Sequence, residues 1–354
     1  MQASSNTDGL LLKSNWISLP VLLALTFVSL CMGVALGSTS ISVVDVFQAL
    51  LTRLFFQSAP AGLEDTTMDI VWMLRMPRVL LAFLVGGGLS IVGVAMQTLV
   101  RNPLAEPYIL GISSGASAGA SLFYLGFLPP VLSLALTLPL AAFLGALLTM
   151  LVVYMIAKKG QHVEVTRLLL AGVAMSALMG AISTFATLAS PELEKMKTVM
   201  FWLLGSFASA RWDTLLLPAI ASLSGLMALL FFSRPLDSML LGEEAALHLG
   251  IPVELFKKLL ILMATFLTGM LVASAGAIGF VGLIIPHAVR SIVGIRHQRV
   301  VLVSFFVGGI FLIWADILSR TLLQPQELPI GIVTAICGVP FFLYLLRNRP
   351  YRFG

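Results

Sequence analysis

The chain has 354 residues, of which 59% are hydrophobic and only 10% charged, whereas soluble domains carry about 25% charged residues. That balance excludes a water-soluble domain and predicts an integral membrane protein. Many apolar segments reach the roughly 20 residues that cross hydrocarbon as a helix, which fits a helical bundle and not a β-barrel. A net charge of +5 would suit nucleic acid, but the basic residues are scattered at segment ends. Membrane topology explains them, and no nucleic-acid partner is expected.

In chain order, apolar runs and breakers predict spans near residues 16–36, 79–100, 109–128, 131–157, 168–189, 214–232, 259–275, 277–293, 300–318 and 330–346. That makes about ten crossings. The first run follows a single basic residue, Lys13, is long for a cleaved leader, and reads as a retained span. Residues 259–293 admit either two crossings or one crossing plus a re-entrant piece near 274–279. Two outer segments carry structure of their own. Residues 38–76 contain the amphipathic VVDVFQALLTRLFF, and residues 190–213 contain PELEKMKTVMFWLLGSF; both read as interfacial helices. Spans two to five and seven to ten are offset by five, and an odd offset inverts one set relative to the other, as in inverted-repeat transporters.

Lys and Arg set the orientation. With the N-terminus inside, the outer side keeps only Arg53, Arg75, Arg78, Lys195, Lys197, Arg211 and Arg320, leaving 14 of the 21 basic residues on the cytoplasmic side. The bias predicts both termini inside. It also places residues 233–258, SRPLDSMLLGEEAALHLGIPVELFKK, in the cytoplasm. This is the longest run that water tolerates comfortably. Asp237 or Ser238 is expected to cap a short helix there, Glu243 and Glu244 suit its positive end, and Gly250 with Pro252 supplies a stop. Leu240, Leu241, Leu247 and Leu249 form an apolar stripe, with Ala245 and Ala246 small enough for another surface to approach.

Gly111, Gly115 and Gly119 recur at every fourth position in GISSGASAG, a smooth stripe for close helix packing in a membrane. The same letters contain G-x-S-x-G around Ser113, but no strand precedes it, as a nucleophile elbow requires. His162, His248, His287 and His297 lack zinc-site spacing, so no metal site is expected. Met196 and Met200 at i, i+4 read as apolar packing. Cys31 and Cys337 both sit in apolar runs and build no disulfide framework. Arg75 and Arg78 bracket Met76-Pro77 before the second span, and Arg320 follows Asp316 after the ninth. They read as interfacial snorkelling or as a basic rim for an acidic protein outside. No G-x-x-x-x-G-K-[ST] occurs, so the chain has no P-loop for ATP. Asp316 is the one acidic residue well inside an expected span, which argues against a proton-coupled carrier.

Four ordered motifs carry a resemblance: RMPRVLLAFLVGGGLSIVGVAMQTLVRNPLAEPYILGISSGASAGA, GEEAALHLGIP, AGAIGFVGLIIPHAVR and ELPIGIVTAICGVPFFLYLL. Together they resemble the FecCD-type permeases of ABC importers for iron-siderophores, haem or cobalamin, over nearly the whole stretch from Arg75 to Arg347. The resemblance implies an all-α polytopic fold of about ten transmembrane helices, the type II, cobalamin-permease-like ABC importer architecture, as one domain over residues 1–354. It implies a second permease subunit, most simply an identical copy, two cytoplasmic ATP-binding subunits and a periplasmic binding protein, in the bacterial inner membrane and its lipid, with no cofactor and no ATPase site of its own. GEEAALHLG then corresponds to the coupling helix, through Glu243, Glu244, Ala245, Ala246 and Gly250. Arg75, Arg78 and Arg320 match arginines that dock the binding protein. Asn102, Leu104, Val165 and Thr166 match positions that narrow the cytoplasmic gate. Glu164-Val165 departs from the small hydroxyl residues of cobalamin-type relatives, which favours an iron chelate over cobalamin. The residues alone leave two other classes open, a secondary carrier and an intramembrane hydrolase acting through Ser113.

Overall fold

The computed structural model describes residues 19–37, 41–55, 64–160 and 162–348; Lys13, Arg349 and Arg352, counted above for orientation, lie outside them. Helix α1 (Leu19–Ala35) and α2 (Val43–Phe55) lead into α3 (Asp65–Asp69), a π-helical stretch (Ile70–Arg75) and α4 (Met76–Val100). The widened turns sit just ahead of Pro77, which lacks an N–H and crowds the carbonyl four residues back. After a 3-10 turn (Pro107–Leu110) come α5 (Ile112–Tyr124), α6 (Pro130–Ala135) and α7 (Leu138–Ala157). A two-stranded ribbon, β1 (Lys158–Lys159) and β2 (His162–Val163), precedes α8 (Val165–Ala189) and α9 (Leu193–Leu203). The second half holds α10 (Leu216–Phe231), α11 (Ser233–Leu240), α12 (Glu243–His248), α13 (Val253–Ala275), α14 (Val281–Val293), α15 (His297–Thr321) and α16 (Ile330–Asn348).

Among the described residues, six helices are long and apolar enough to cross a membrane, and α1, α14 and α16 are shorter apolar helices. The expected span at 131–157 is two helices. Leu136 and Thr137 are extended, and Pro139 follows in the first turn of the new helix, where its missing N–H costs nothing and beyond which it could not continue the preceding helix. Residues 259–293 form two helices, but α14 has 13 residues, about 20 Å at 1.5 Å per residue, short of the ~30 Å hydrocarbon thickness.

Helix α4 is the centre of the bundle and packs on α10, α13, α14 and α15. Glycines set its closest approaches: a Cβ on Gly86 would fall on the Gly308 carbonyl, and one on Gly93 would fall on the Gly282 carbonyl. A second group, α5, α7 and α8, packs on itself, and α13 touches both groups. Gly115 and Gly119 of α5 face Gly145, Thr149 and the Ala141 carbonyl of α7 with no room for a Cβ, as the small-residue stripe predicted. Gly111 is not part of that face. It sits at the head of α5 with φ 77°, a conformation glycine tolerates and other residues rarely adopt.

The two halves repeat one pattern. Helix α4 (25 residues) breaks and continues as the 13-residue α5; α13 (23 residues) breaks and continues as the 13-residue α14. Both breaks use left-handed backbone, at Gly111, Gly276 and Phe280, and they meet: the Phe280 N–H donates to Glu106 Oε1 at 2.6 Å.

Introducing Gly115→Leu should push α5 off α7 and lower the thermal unfolding midpoint in detergent by several degrees, since overpacking costs about 1–3 kcal/mol. Gly180→Ala, where a Cβ meets nothing within 4 Å, should leave it unchanged or slightly raised. Equal effects of the two substitutions would contradict the packing assignment.

Candidate functional site

Polar side chains concentrate at the two ends of the bundle. At the end holding the C-terminus of α1, Arg75 Nη1 donates to the carbonyls of Val34 and Ala35, each at 2.8 Å, and Arg320 Nη2 donates to the Gly33 carbonyl at 3.0 Å. The last carbonyls of a helix have no partner within it, so the two guanidiniums satisfy them and complement the negative end of its dipole. Asp316 lies between the arginines, 1% exposed. Its Oδ2 is 3.0 Å from Arg320 Nε, and its Oδ1 is 2.9 Å from Arg78 Nη2. Arg78 also grips Glu327 with both terminal nitrogens, at 3.0 and 2.9 Å.

The three arginines read from the sequence are therefore brought together, but the expectation of an exposed basic rim needs correction. Arg75 and Arg320 are 6% and 4% exposed, and each is engaged by the chain itself. Snorkelling does not describe them either. The acidic members, Asp316 and Glu327, balance Arg78 and Arg320, while Arg75 rests on the α1 carbonyls; Glu327, a lone acid in a turn, carries no periodic signal in the sequence.

At the opposite end a cavity of about 600 Å³ is lined by Asn102, Val165 and Thr166 together with Gln97, Arg101, Glu243 and Arg290. Three of the four gate residues expected from the resemblance thus share one cavity. Leu104 does not line it; its N–H donates to Asn102 Oδ1 at 2.8 Å and fixes the loop that presents the asparagine. Sequence reasoning missed Gln97 and Arg290, whose side chains hydrogen-bond to each other. Gln97 Nε2 also donates to the Gly282 carbonyl at 3.1 Å, tying α4 to α14. A solitary amide inside an apolar run was the available signal.

Residues 233–258 do not form one capped helix. Gly242, at φ 112°, separates α11 from α12, and Asp237 and Ser238 lie inside α11. Asp237 Oδ1 instead accepts the backbone N–H of His297 at 2.9 Å and lies 2.7 Å from its Nδ1, capping α15 from a distant element. The predicted stop is present: Gly250 takes φ 82°, and the Ile251 N–H reaches back to the Ala246 carbonyl at 3.0 Å, closing the helix end. Ala246 is fully buried, so it packs inward and offers no surface to a partner. Glu243 is paired with Lys257 at 2.6 Å. Glu244 is exposed, and Leu241, Leu247 and Leu249 are 57–69% exposed, an apolar face around one acid.

Ser113 is buried in the first turn of α5 behind a 3-10 turn, so the strand-to-helix elbow of a hydrolase is not formed. Among the described residues no three His, Cys, Asp or Glu side chains are grouped to hold a metal ion.

The model of the FecCD transport family matches residues 23–348. The chain belongs to that family. It is 41% identical over 298 residues to the cobalamin import system permease protein BtuC of Halobacterium salinarum, covering 82% of this chain and 77% of that one. It is 39% identical to the hemin transport system permease protein HmuU of Yersinia pestis, over 82% of this chain and 88% of that one. An uncharacterized ABC transporter permease, YvrB of Bacillus subtilis, is 39% identical with 92% of both chains covered. A solved structure described as an inward-facing conformation of a metal-chelate type ABC transporter superposes with a TM-score of 0.80 at 30% identity, over 94% of this chain and 99% of that one. The FecCD chain is thus a multi-pass membrane protein and an ABC transporter permease.

Replacing Asp316 with Ala leaves Arg320 without its carboxylate in a buried site, and breaking a buried pair costs about 3–5 kcal/mol. The unfolding midpoint in detergent should drop far more than for Glu327→Gln, since the Glu327 side chain is itself 38% exposed. A larger effect from Glu327→Gln would contradict Asp316 as the centre of the cluster.

Proposed function

We propose that this chain is the membrane-spanning subunit of an ATP-driven importer that carries a bulky metal chelate from periplasm to cytoplasm across the bacterial inner membrane. The observation that carries the reading is the family match over residues 23–348, joined to an exposed short helix, α12, beside a polar cavity. The chain has no P-loop, so the energy would come from ATP-binding subunits seated on Leu241, Glu244, Leu247 and Leu249. In this reading all ten expected helices cross the membrane, α5 and α14 complete their crossings with the irregular breaks before them, and both termini face the cytoplasm.

The dimer would enclose the pathway, with Asn102, Val165 and Thr166 narrowing its inner end. The arginine cluster would dock the binding protein through Arg78 and Glu327, its least buried members, while Arg75 and Arg320 hold the end of α1. The cargo we favour is chelated iron, as a ferric siderophore or haem. The permeases named for cobalamin among the relatives, at 40–42% identity, favour cobalamin as the second reading.

The test pairs a coupling variant with a cargo panel. In proteoliposomes with the cognate ATP-binding subunits and binding protein, uptake of ferric siderophore, haem and cobalamin is measured in parallel. One cargo should accumulate only with ATP, and Glu244→Arg should reduce both ATPase copurification and uptake by at least about tenfold, roughly 1.4 kcal/mol of lost contact. Uptake that persists without ATP would point to a secondary carrier. Full uptake and copurification with Glu244→Arg would remove α12 from the interface.

A further inference from the structure

Lys257 is a deeply buried basic side chain at the inner end that the proposed mechanism leaves unexplained. It lies in the second turn of α13, yet its side chain is only 4% exposed. A buried ammonium is strongly disfavoured unless carboxylates face it, and two do. Glu243 Oε2, on α12, is 2.6 Å from Nζ, and Glu254 Oε1, in the first turn of α13, is 3.2 Å away.

The network continues beyond the lysine. Glu254 Oε2 accepts the backbone N–H of Val163 at 2.9 Å, and Glu254 Oε1 lies 3.4 Å from His162 Nδ1. Val163 is itself buried, in the β1–β2 ribbon and two residues ahead of Val165, where α8 begins. A path of polar contacts therefore runs from α12 through Glu243, Lys257 and Glu254 to Val163, two residues along the backbone from Val165 in the wall of the inner cavity. Val165, Thr166 and Glu243 also line a second polar cavity of about 540 Å³ beside this path, together with Lys257 and Glu254. The two cavities share the same wall.

We propose that Lys257 is a positioning residue that locks α12 to the β1–β2 ribbon, so that displacement of α12 is passed to Val165 and Thr166 as a rigid-body movement. This rests on α12 being the ATPase contact. The alternative is that Lys257 merely stabilises the start of α13. The two differ in what charge removal does: a stabiliser alters folding or ATPase binding, whereas a transmitting lock leaves both intact and disconnects the cavity from the nucleotide state.

The experiment uses the full complex of permease and ATP-binding subunits, with Cys31→Ala and Cys337→Ala as background and Thr166→Cys as a reporter of the cavity. Maleimide labelling of the reporter is timed with and without trapping by ATP and vanadate. Trapping should change the labelling rate at least about fivefold with Lys257 present, the lower end of ordinary coupling between sites. With Lys257→Met, which keeps the length and removes the charge, the change should fall below about twofold while ATPase copurification and ATP hydrolysis persist. Lys257→Arg should restore most of it.

A full nucleotide effect in Lys257→Met overturns the proposal, and so does an equal loss in Lys257→Arg, which would assign the effect to packing. Loss of copurification in Lys257→Met also overturns it, by making the lysine part of the docking face. If Lys257→Met does not elute as a single species, Glu254→Gln takes its place with the same expected outcomes. Failure of the ATPase contact itself is read separately, from retained copurification with Glu244→Arg.

Discussion

Hydrocarbon offers no hydrogen-bond partner, and most of this structure follows from that constraint. At four joints where the described chain stops being a regular helix, loose polar groups are closed by another part of the same chain. The end of α1 is closed by Arg75 and Arg320, the latter balanced by Asp316. The break before α14 is closed by Glu106. The head of α15 is closed by Asp237, and the ribbon before α8 by Glu254. Charged residues are rare in the composition, and those that are buried sit at these joints.

The helices between the joints are held by contact alone. Without a hydrophobic drive between helices in lipid, association depends on close van der Waals approach, and the glycine pairs Gly86–Gly308, Gly93–Gly282 and Gly115–Gly145 provide it. These crossings define two groups, one around α4 and one around α5, α7 and α8, with α13 between them. Helix α13 begins at Val253, just before Glu254 and Lys257. The element that joins the two groups is thus also the one whose first turns carry the Glu243–Lys257–Glu254 cluster, which makes its N-terminal end the natural place to turn one movement into another.

Hydropathy was sufficient to locate every long helix, because a run of apolar residues about 20 long has few other fates. It was insufficient where a single proline or glycine divided a run, as at Pro139 and Gly242. The small-residue stripe in α5 was readable from spacing, and Gly115 and Gly119 pack as that spacing implied. The stop at Gly250 was readable for the same reason. The polar joints were not, since each pairs residues far apart in sequence: Arg78 with Asp316 and Glu327, Asp237 with His297, Glu106 with Phe280. Local patterns report the face a residue occupies and say nothing of which distant residue meets it. The burial of Arg75 and Arg320 illustrates the difference: their position at a span end was visible, and the carbonyls of α1 that receive them were not.

In the proposed assembly α12 receives the ATP-binding subunits and shares one rigid inner rim with the β1–β2 ribbon. Hydrogen–deuterium exchange on the assembled complex reads both parts at once. Binding of the ATP-binding subunits should slow exchange across residues 241–250, and trapping with ATP and vanadate should then alter residues 158–166 in step. Protection that appears elsewhere while 241–250 exchanges as in the isolated permease would contradict the account.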